Sequence, residues 1–350
     1  MSDFHTLTIK NITRETPKAV SIEFEVPSEL KEAYSFIAGQ YITIKTKIEN
    51  KEIRRAYSLC TSPYSGSLRV AVKEIEGGTF STYANQTLSV GDTLDVHTPE
   101  GNFLLESNPS ATNTYAAFAA GSGITPVMSM IKMIMEQEPN SRFVLMYGNQ
   151  TPNQTIFLQE LIALKTSYPD RLFIEFFYSR TDEEGARFGR IEKSTVNYII
   201  KNKFKDTSFN GFYSCGPEEM IRTVTDTLAE NGIAKDSIHY ELFTSTTEEA
   251  ELDVALEGKT TLTILVDDEE TSIVMDQKKT ILDAALEQDI DAPYSCQGGV
   301  CSSCICKVTE GTAVMVKNSI LTDDEISQGL ILACQAHPSS ATLKIDFDDV

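Results

Sequence analysis

The sequence predicts a multidomain chain. An antiparallel β-barrel is expected over residues 1–108, an α/β domain with a parallel sheet over 109–243, a linker over 244–259 and a third, smaller domain over 260–350. Three observations predict it. Residues 1–108 carry short β-branched and aromatic runs parted by Pro and Gly signals, the pattern of a small barrel. Beyond Pro109 strand-like and helix-like runs alternate, which requires a parallel sheet covered by helices. Charge density then changes at the polar stretch 244–258: residues 1–250 hold 24 Lys plus Arg against 32 Asp plus Glu, whereas residues 251–350 hold 6 against 19.

In the barrel region, strands are expected at 6–12, 20–26, 41–47, 68–75 and 93–97, with a short helix at 80–86. The α/β region reads as strand 114–119, helix 127–137, strand 142–147, helix 157–164, strand 171–178, strand 209–214, helix 218–230 stopped by Asn231-Gly232, and a closing strand 238–243. The third domain opens with a hairpin, 260–266 and 272–275. Helix 281–287, strand 305–309 and closing strands near Leu330 and at 343–347 follow.

Composition narrows the function. A formal net charge of -21 lacks the basic face that nucleic acid needs. No apolar run approaches the roughly 18 residues of a membrane span. Met1-Ser2-Asp3-Phe4-His5 shows no basic stretch followed by an apolar one, so no secretory signal is expected. Of 7 cysteines, 5 fall between Cys296 and Cys334, which suits ligand chemistry in a reducing, cytoplasmic compartment better than a disulfide framework.

Cys296-x4-Cys301-x2-Cys304 with the distant Cys334 is the sharpest signal. A [2Fe–2S] cluster takes four thiolates at this spacing. Gln297-Gly298-Gly299 and Ser302-Ser303 are small enough to let backbone N–H groups approach inorganic sulfur. Zinc more often uses two short paired spacings. Cys306, two positions past Cys304, need not face the cluster if a strand starts there. The run from Tyr294 to Val308, with Ala333-Cys334-Gln335, resembles a plant-type ferredoxin domain, and the resemblance implies a β-grasp fold.

Arg55-Ala56-Tyr57-Ser58 follows the barrel strand 41–47. Tyr57 can stack on a flat ring, Arg55 can fork onto a phosphate and Ser58 can hydrogen-bond the reactive edge of a flavin. An exposed strand with an ion-paired Arg is the plain alternative. Gly77-Gly78-Thr79-Phe80-Ser81 opens a short helix whose free N–H groups suit a pyrophosphate. With Phe36-Ile37-Ala38-Gly39-Gln40-Tyr41 and Pro99-Glu100-Gly101-Asn102-Phe103, the set resembles the ferredoxin–NADP reductase superfamily. The second segment implies FAD rather than FMN.

Gly121-Ser122-Gly123-Ile124-Thr125-Pro126 follows a strand and opens a helix, where dinucleotide phosphate can use the helix N-terminus. In the superfamily this position reads GxGxxP, and Cys215-Gly216-Pro217 is similar to the segment set beside the nicotinamide. Cys215 would then shape the pocket rather than act as a nucleophile, since none of the 4 His is near it in sequence. Ser179-Arg180 past the third strand could meet a 2′-phosphate, implying NADPH; Asp182 and Glu183 keep NADH open. Phe243 is the aromatic that relatives place near the flavin ring, with an ordinary core role as the alternative.

Together these resemblances imply an electron relay from NADPH through FAD to a [2Fe–2S] cluster. The order, reductase first and ferredoxin last, resembles reductase components of bacterial multicomponent oxygenases. Glu310-Gly311, Val314-Met315, Asn318, Leu321-Thr322-Asp323, Glu325 and Gln328-Gly329 resemble the family of reductase subunits of phenylacetyl-CoA epoxidase complexes. That resemblance implies, as partner, the oxygenase subunits of a multicomponent diiron enzyme. A reductase for ring hydroxylases or acyl-lipid desaturases would share these motifs. A redox sensor without turnover is the alternative of a different class.

Overall fold

Period-two apolar residues build the first sheet. In the computed structural model, which describes residues 4–243 and 256–350, Leu7 and Ile9, Val20, Ile22 and Phe24, Ile42 and Ile44, Val70 and Val72, and Leu94 and Val96 all point into one core. They lie on β1 (Phe4–Thr16), β2 (Ala19–Glu25), β3 (Tyr41–Ile48), β5 (Leu68–Lys73) and β6 (Thr93–His97), and β4 (Lys51–Ser58) completes the set. The strands pair in the order β4-β3-β6-β1-β2-β5, all antiparallel. An isolated bridge, Leu59 to Val70, joins the two edges and curls the sheet into a barrel. Helix α1 (Thr79–Gln86) follows β5.

One strand is added to the expected set. Arg55, Ala56, Tyr57 and Ser58 come after the strand at 41–47, as expected, and are themselves the last residues of a further strand, β4. The hairpin turns at Glu49 and Asn50, both left-handed, as a two-residue connection demands. The charges of Lys51, Glu52, Arg54 and Arg55 hide this strand from a hydrophobic pattern.

The second sheet is wholly parallel. It holds β7 (Thr114–Ala120), β8 (Arg142–Asn149), β9 (Leu172–Tyr178), β10 (Arg187–Phe188), β11 (Gly211–Cys215) and β12 (Ile238–Glu241), in the order β10-β9-β8-β7-β11-β12. Tyr115, Ala117 and Ala119 join Phe143, Leu145 and Tyr147 under helix α2 (Ile124–Gln137) and helix α3 (Leu158–Ser167), while Ala116, Phe118, Val144 and Met146 are buried on the opposite face. Burial of both faces is what crossover helices produce. Helix α4 (Lys193–Tyr198) packs against helix α5 (Glu218–Glu230), and α5 also packs on β11 and β12. The strand order reverses between β7 and β11. Barrel and parallel sheet together form one contact unit, Phe4–Phe243.

Residues 256–350 form a separate unit. A mixed sheet runs β14-β13-β19-β15-β17, built from β13 (Lys259–Val266), β14 (Glu269–Asp276), β15 (Ile305–Glu310), β17 (Leu330–Leu332) and β19 (Thr342–Asp346). A short pair, β16 (Ala313–Met315) with β18 (Ala336–Pro338), lies beside it in sequence. Ile281, Leu282, Ala284 and Ala285 of helix α6 (Ile281–Leu286) pack against Leu262, Ile264, Leu343 and Ile345, a sheet grasping a helix. Thr280 caps α6, its Oγ1 accepting from the Asp283 N–H at 3.1 Å. The hairpin β13–β14 turns at Asp267 and Asp268, both left-handed. Helix α7 (Asp323–Ser327), held by a Thr322/Glu325 capping box, adds to the expected elements. The expected linker over 244–259 lies mostly outside the described residues, which resume at Leu256. Among the described residues no helix is long and apolar enough to cross a membrane.

Candidate functional site

The last residues of β4 carry the first group. Alternation along the strand puts Arg55 and Tyr57 on one face and Ala56 and Ser58 on the other. The Arg55 guanidinium donates from Nη1 to its neighbour's carbonyl, Arg54 O, at 2.7 Å. The Tyr57 ring packs on Phe80 with centroids 5.5 Å apart. Phe80 is buried in the first turn of α1, so the contact brings the Gly77–Ser81 segment to the face of Arg55 and Tyr57. Helix α1 starts after Gly78 without a side-chain cap, and its first N–H groups are available to an anion. Ser81 Oγ accepts from the Ile75 N–H at 3.3 Å and tightens the turn. A Cβ at Gly78 would stand 2.3 Å from Ser81 Oγ and 2.5 Å from the Ile75 side chain, so any other residue there would displace both side chains.

The two other barrel segments noted in the sequence meet each other. Tyr41 and Glu100 exchange backbone hydrogen bonds of 2.9 Å, and Leu105 N donates to Ala38 O at 3.0 Å. Phe103 then reaches Tyr213 of the parallel sheet in an edge-on contact at 5.8 Å.

The second group sits where the strand order reverses, the place at which open parallel sheets bind ligands. The turn Gly121–Gly123 leaves β7 and feeds α2. Tyr147 donates its hydroxyl to Gly121 O at 3.0 Å, and Thr125 Oγ1 donates to Ser122 O at 3.0 Å. Pro126 falls in the first turn of α2 and is buried there, as is Thr125. A Cβ on Gly123 would lie 2.1 Å from Cys215 O, so the glycine turn and the Cys215-Gly216-Pro217 segment touch backbone to backbone. Cys215 is buried; burial first, and the Glu241 charge second, push its thiol well above the ordinary range, which suits a packing group and not a nucleophile. Phe243 is half-buried against the α2 core. Ser179 and Arg180 follow β9 and pair by backbone with Asn149 and Gln150 at 3.0 Å each, leaving Arg180 exposed.

One residue that sequence reasoning passes over joins these groups. Ser58 Oγ, from the barrel, donates to Glu241 Oε2, from β12, at 3.2 Å. Glu241 pairs in register with Cys215. Burial raises the Glu241 carboxyl to about 8, against a smaller opposing effect of Ser58. It therefore holds a proton near neutral pH. The one signal in the sequence is a lone acid, two positions before Phe243, inside a strand expected to close the sheet.

Whether these residues fit a dinucleotide and a flavin can be tested on the polar atoms they leave over. Among the described residues the buried Ser214 Oγ lacks a partner, and it lies near the C-terminal end of β11 beside the reversal point. A group left so at a crevice fits a polar ligand.

In the other unit, Cys301, Cys304 and Cys334 are buried and Cys296 is half-buried. The Cys296 sulfur is in hydrogen-bond reach of Cys301 and Cys334, and Cys334 of Cys304. The Cys301 and Cys334 thiols, with backbone N–H groups of Gly298 and Val300, hold Cys296 as a thiolate far below the usual thiol range. Gly298 N donates to Cys296 Sγ at 3.3 Å. Left-handed Gln297 and Gly299 bend the loop round the sulfurs. Ala333 N donates to Cys304 O at 2.9 Å, which ties the distant ligand to the loop. Ser295 Oγ, next to Cys296, is buried without a partner. Four sulfurs, inward N–H groups and a spare hydroxyl fit a sulfide-bearing cluster. Among the described residues no group of three or more His, Cys, Asp or Glu is placed to hold a single metal ion; two irons sharing four thiolates do not need that convergence. Cys306 sits on β15 in the core, and burial pushes its thiol up, so it is a packing residue.

Comparison with known proteins agrees with this division. Residues 6–104 match an oxidoreductase FAD-binding domain, 118–226 an oxidoreductase NAD-binding domain and 264–339 a 2Fe-2S iron-sulfur cluster binding domain. The chain is 38% identical, over 99% of both chains, to one of the subunits of 1,2-phenylacetyl-CoA epoxidase from Escherichia coli (strain K12). It is 32% identical, over 97% of this chain and 96% of the other, to the ferredoxin reductase component of 3-ketosteroid-9-alpha-monooxygenase from Rhodococcus rhodochrous. Phthalate dioxygenase reductase shares the fold, with a TM-score of 0.63 at 24% identity over 98% of each chain.

Proposed function

The chain belongs to the family of oxygenase reductase components that join FAD-binding, NAD-binding and 2Fe-2S domains in one polypeptide, and from that premise we propose that it draws electrons from NADPH and delivers them to the diiron oxygenase subunits of a phenylacetyl-CoA epoxidase. It is a flavin and iron–sulfur oxidoreductase, an electron-transfer component that serves a partner oxygenase. The observation that carries the site assignment is the meeting of Ser58, Cys215, Glu241 and Gly123 at one place, from segments as much as 183 residues apart.

When bound, FAD converts the two-electron delivery of a reduced nicotinamide into the one-electron steps that a [2Fe–2S] centre accepts. The residues do the rest. Tyr57 and Phe243 supply aromatic surface for the flavin ring, Arg55 and the start of α1 at Gly77, Gly78, Phe80 and Ser81 hold its phosphates, and Ala56 keeps the strand close. Gly121, Gly123, Thr125 and Pro126 cradle the dinucleotide, and Cys215, Gly216 and Pro217 limit how far its nicotinamide end can slide. Ser179 and Arg180 meet a 2′-phosphate, which favours NADPH. Glu241 holds a proton at its carboxyl beside Ser58. Cys296, Cys301, Cys304 and Cys334 take the two irons.

We assign 1–108, 109–243 and 260–350 as the flavin, nucleotide and cluster domains; the three matched spans fall inside them. We place the protein in the cytoplasm, where thiols stay free for metal. The acidic cluster region, 6 basic against 19 acidic residues over 251–350, fits docking on a basic oxygenase face. The test is reconstitution with the epoxidase oxygenase subunits: NADPH-dependent consumption of phenylacetyl-CoA is expected, falling as salt rises. Electron delivery to dyes but none to that oxygenase would overturn the partner and leave the reductase standing.

A further inference from the structure

Helix α2 carries a lysine among apolar neighbours. Of its 14 residues 12 are buried, and Lys132 is one of them, 9% exposed. A buried ammonium costs free energy unless it is paired, and a Met of similar length would cost less. Lys132 has its partners. Its Nζ donates to Cys60 O at 3.0 Å and pairs with Glu160 Oε1 of α3 at 2.6 Å. The second Glu160 oxygen takes Arg69 Nη2 of β5 at 2.8 Å. Burial alone would raise the Glu160 carboxyl, yet the Lys132 and Arg69 charges hold it below its usual value. One helical turn before Lys132, the fully buried Ser129 donates from Oγ to Thr61 O at 2.7 Å.

The two accepting carbonyls give this network its meaning. Cys60 and Thr61 are the second and third residues after Ser58, at the end of the segment that carries Tyr57 and Ser58. The N-terminus of the same helix α2 is the Gly121–Gly123 turn that abuts Cys215. Ser129 lies six residues past Gly123, about 9 Å along the axis. One rigid helix thus connects the nucleotide turn to the backbone beside the flavin strand.

We propose that Ser129 and Lys132, with Glu160 holding the Lys132 ammonium, are positioning residues: they lock α2 to the Cys60 and Thr61 carbonyls and so set the spacing between bound nicotinamide and flavin. The proposal rests on the flavin and nucleotide assignments above. Reacting atoms must sit about 3–3.5 Å apart, and an error of 1 Å can cost on the order of 100-fold in rate. Neither residue touches substrate.

The test compares Ser129→Ala, Lys132→Met and the double variant with the wild-type holoenzyme. Measurements are FAD content, the half-saturating NADPH concentration, the anaerobic rate of flavin bleaching and the long-wavelength charge-transfer absorbance of the nicotinamide–flavin pair. FAD content is expected to hold and half-saturation to move by less than about 3-fold. Bleaching should slow about 10- to 100-fold and the charge-transfer band should fade. An unchanged band and rate in the double variant would overturn the proposal. So would a parallel loss of thermal stability, FAD, NADPH affinity and rate, the mark of a merely structural role. Ser129→Ala removes one oxygen atom and carries the test alone if Lys132→Met does not fold. A wild-type protein that holds no FAD, or whose flavin NADPH does not bleach, would refute the parent assignment instead.

Discussion

The two units assemble their sites in opposite ways. In residues 256–350 three of the four sulfurs come from a nine-residue loop, and Cys334 is drawn in by its neighbours, Ala333 N donating to Cys304 O and Gln335 Nε2 to Gln297 O. In Phe4–Phe243 the site is shared out among β4, α1, the turns after β7 and β11, and β12, and no single segment contains it. The first arrangement is chemically demanding at each ligand but geometrically local. The second asks little of any one side chain and much of the packing that brings backbone to backbone. Damage should therefore be all-or-none in the cluster unit and graded in the reductase unit.

Cys301→Ser gives the largest effect. It is expected to abolish the cluster's paramagnetic signal on reduction, because one iron loses a thiolate, while NADPH still bleaches the flavin. Loss of both together would break the comparison, since the units would then not be separate. Next comes Gly123→Ala. The added Cβ would stand 2.1 Å from Cys215 O, so the turn and the Cys215 segment must part. Flavin bleaching should slow by about 100-fold or more, with FAD still bound. A wild-type rate in rapid mixing would show that this contact does not set the geometry.

Tyr57→Ala tests a graded contact. Losing a half-buried aromatic should weaken FAD binding by about 10- to 100-fold, the equivalent of roughly 1.5–3 kcal/mol. An unaltered flavin affinity by equilibrium dialysis would move the ring elsewhere. Glu241→Gln acts on a pH slope, not on a rate or an affinity, and sharpens the picture of the junction. The folded carboxyl at about 8 lies above its unfolded value of 4.5, so the folded state holds the extra proton. Its contribution to stability is complete below pH 4.5 and is lost as pH rises to about 8, with a slope of at most about 1.4 kcal/mol per pH unit. Between those limits thermal melting should fall more steeply with pH in the wild type than in the Gln variant. Parallel curves would mean that Glu241 is ionised throughout.

The same difference between the units explains what can be read in advance. The cysteine spacing is legible because one loop holds most of the site, and the 3.6-residue period gives α2 and α5 almost to their ends. Strand β4 escapes a hydrophobic pattern because Lys51, Glu52, Arg54 and Arg55 put charges on both of its faces, which looks like loop. Glu241 escapes because its meaning comes from Ser58, and proximity across 183 residues leaves no periodic trace. Lys132 shows in the sequence only as a charge in an apolar helix; its partners Cys60 and Glu160 belong to other elements.

The account stands or falls on a two-iron cluster and a flavin that share one polypeptide. Anaerobically purified wild-type protein should contain about two irons and two inorganic sulfides per FAD, and NADPH should reduce both chromophores in one titration. Protein that carries zinc or no metal, and no yellow cofactor, would contradict it.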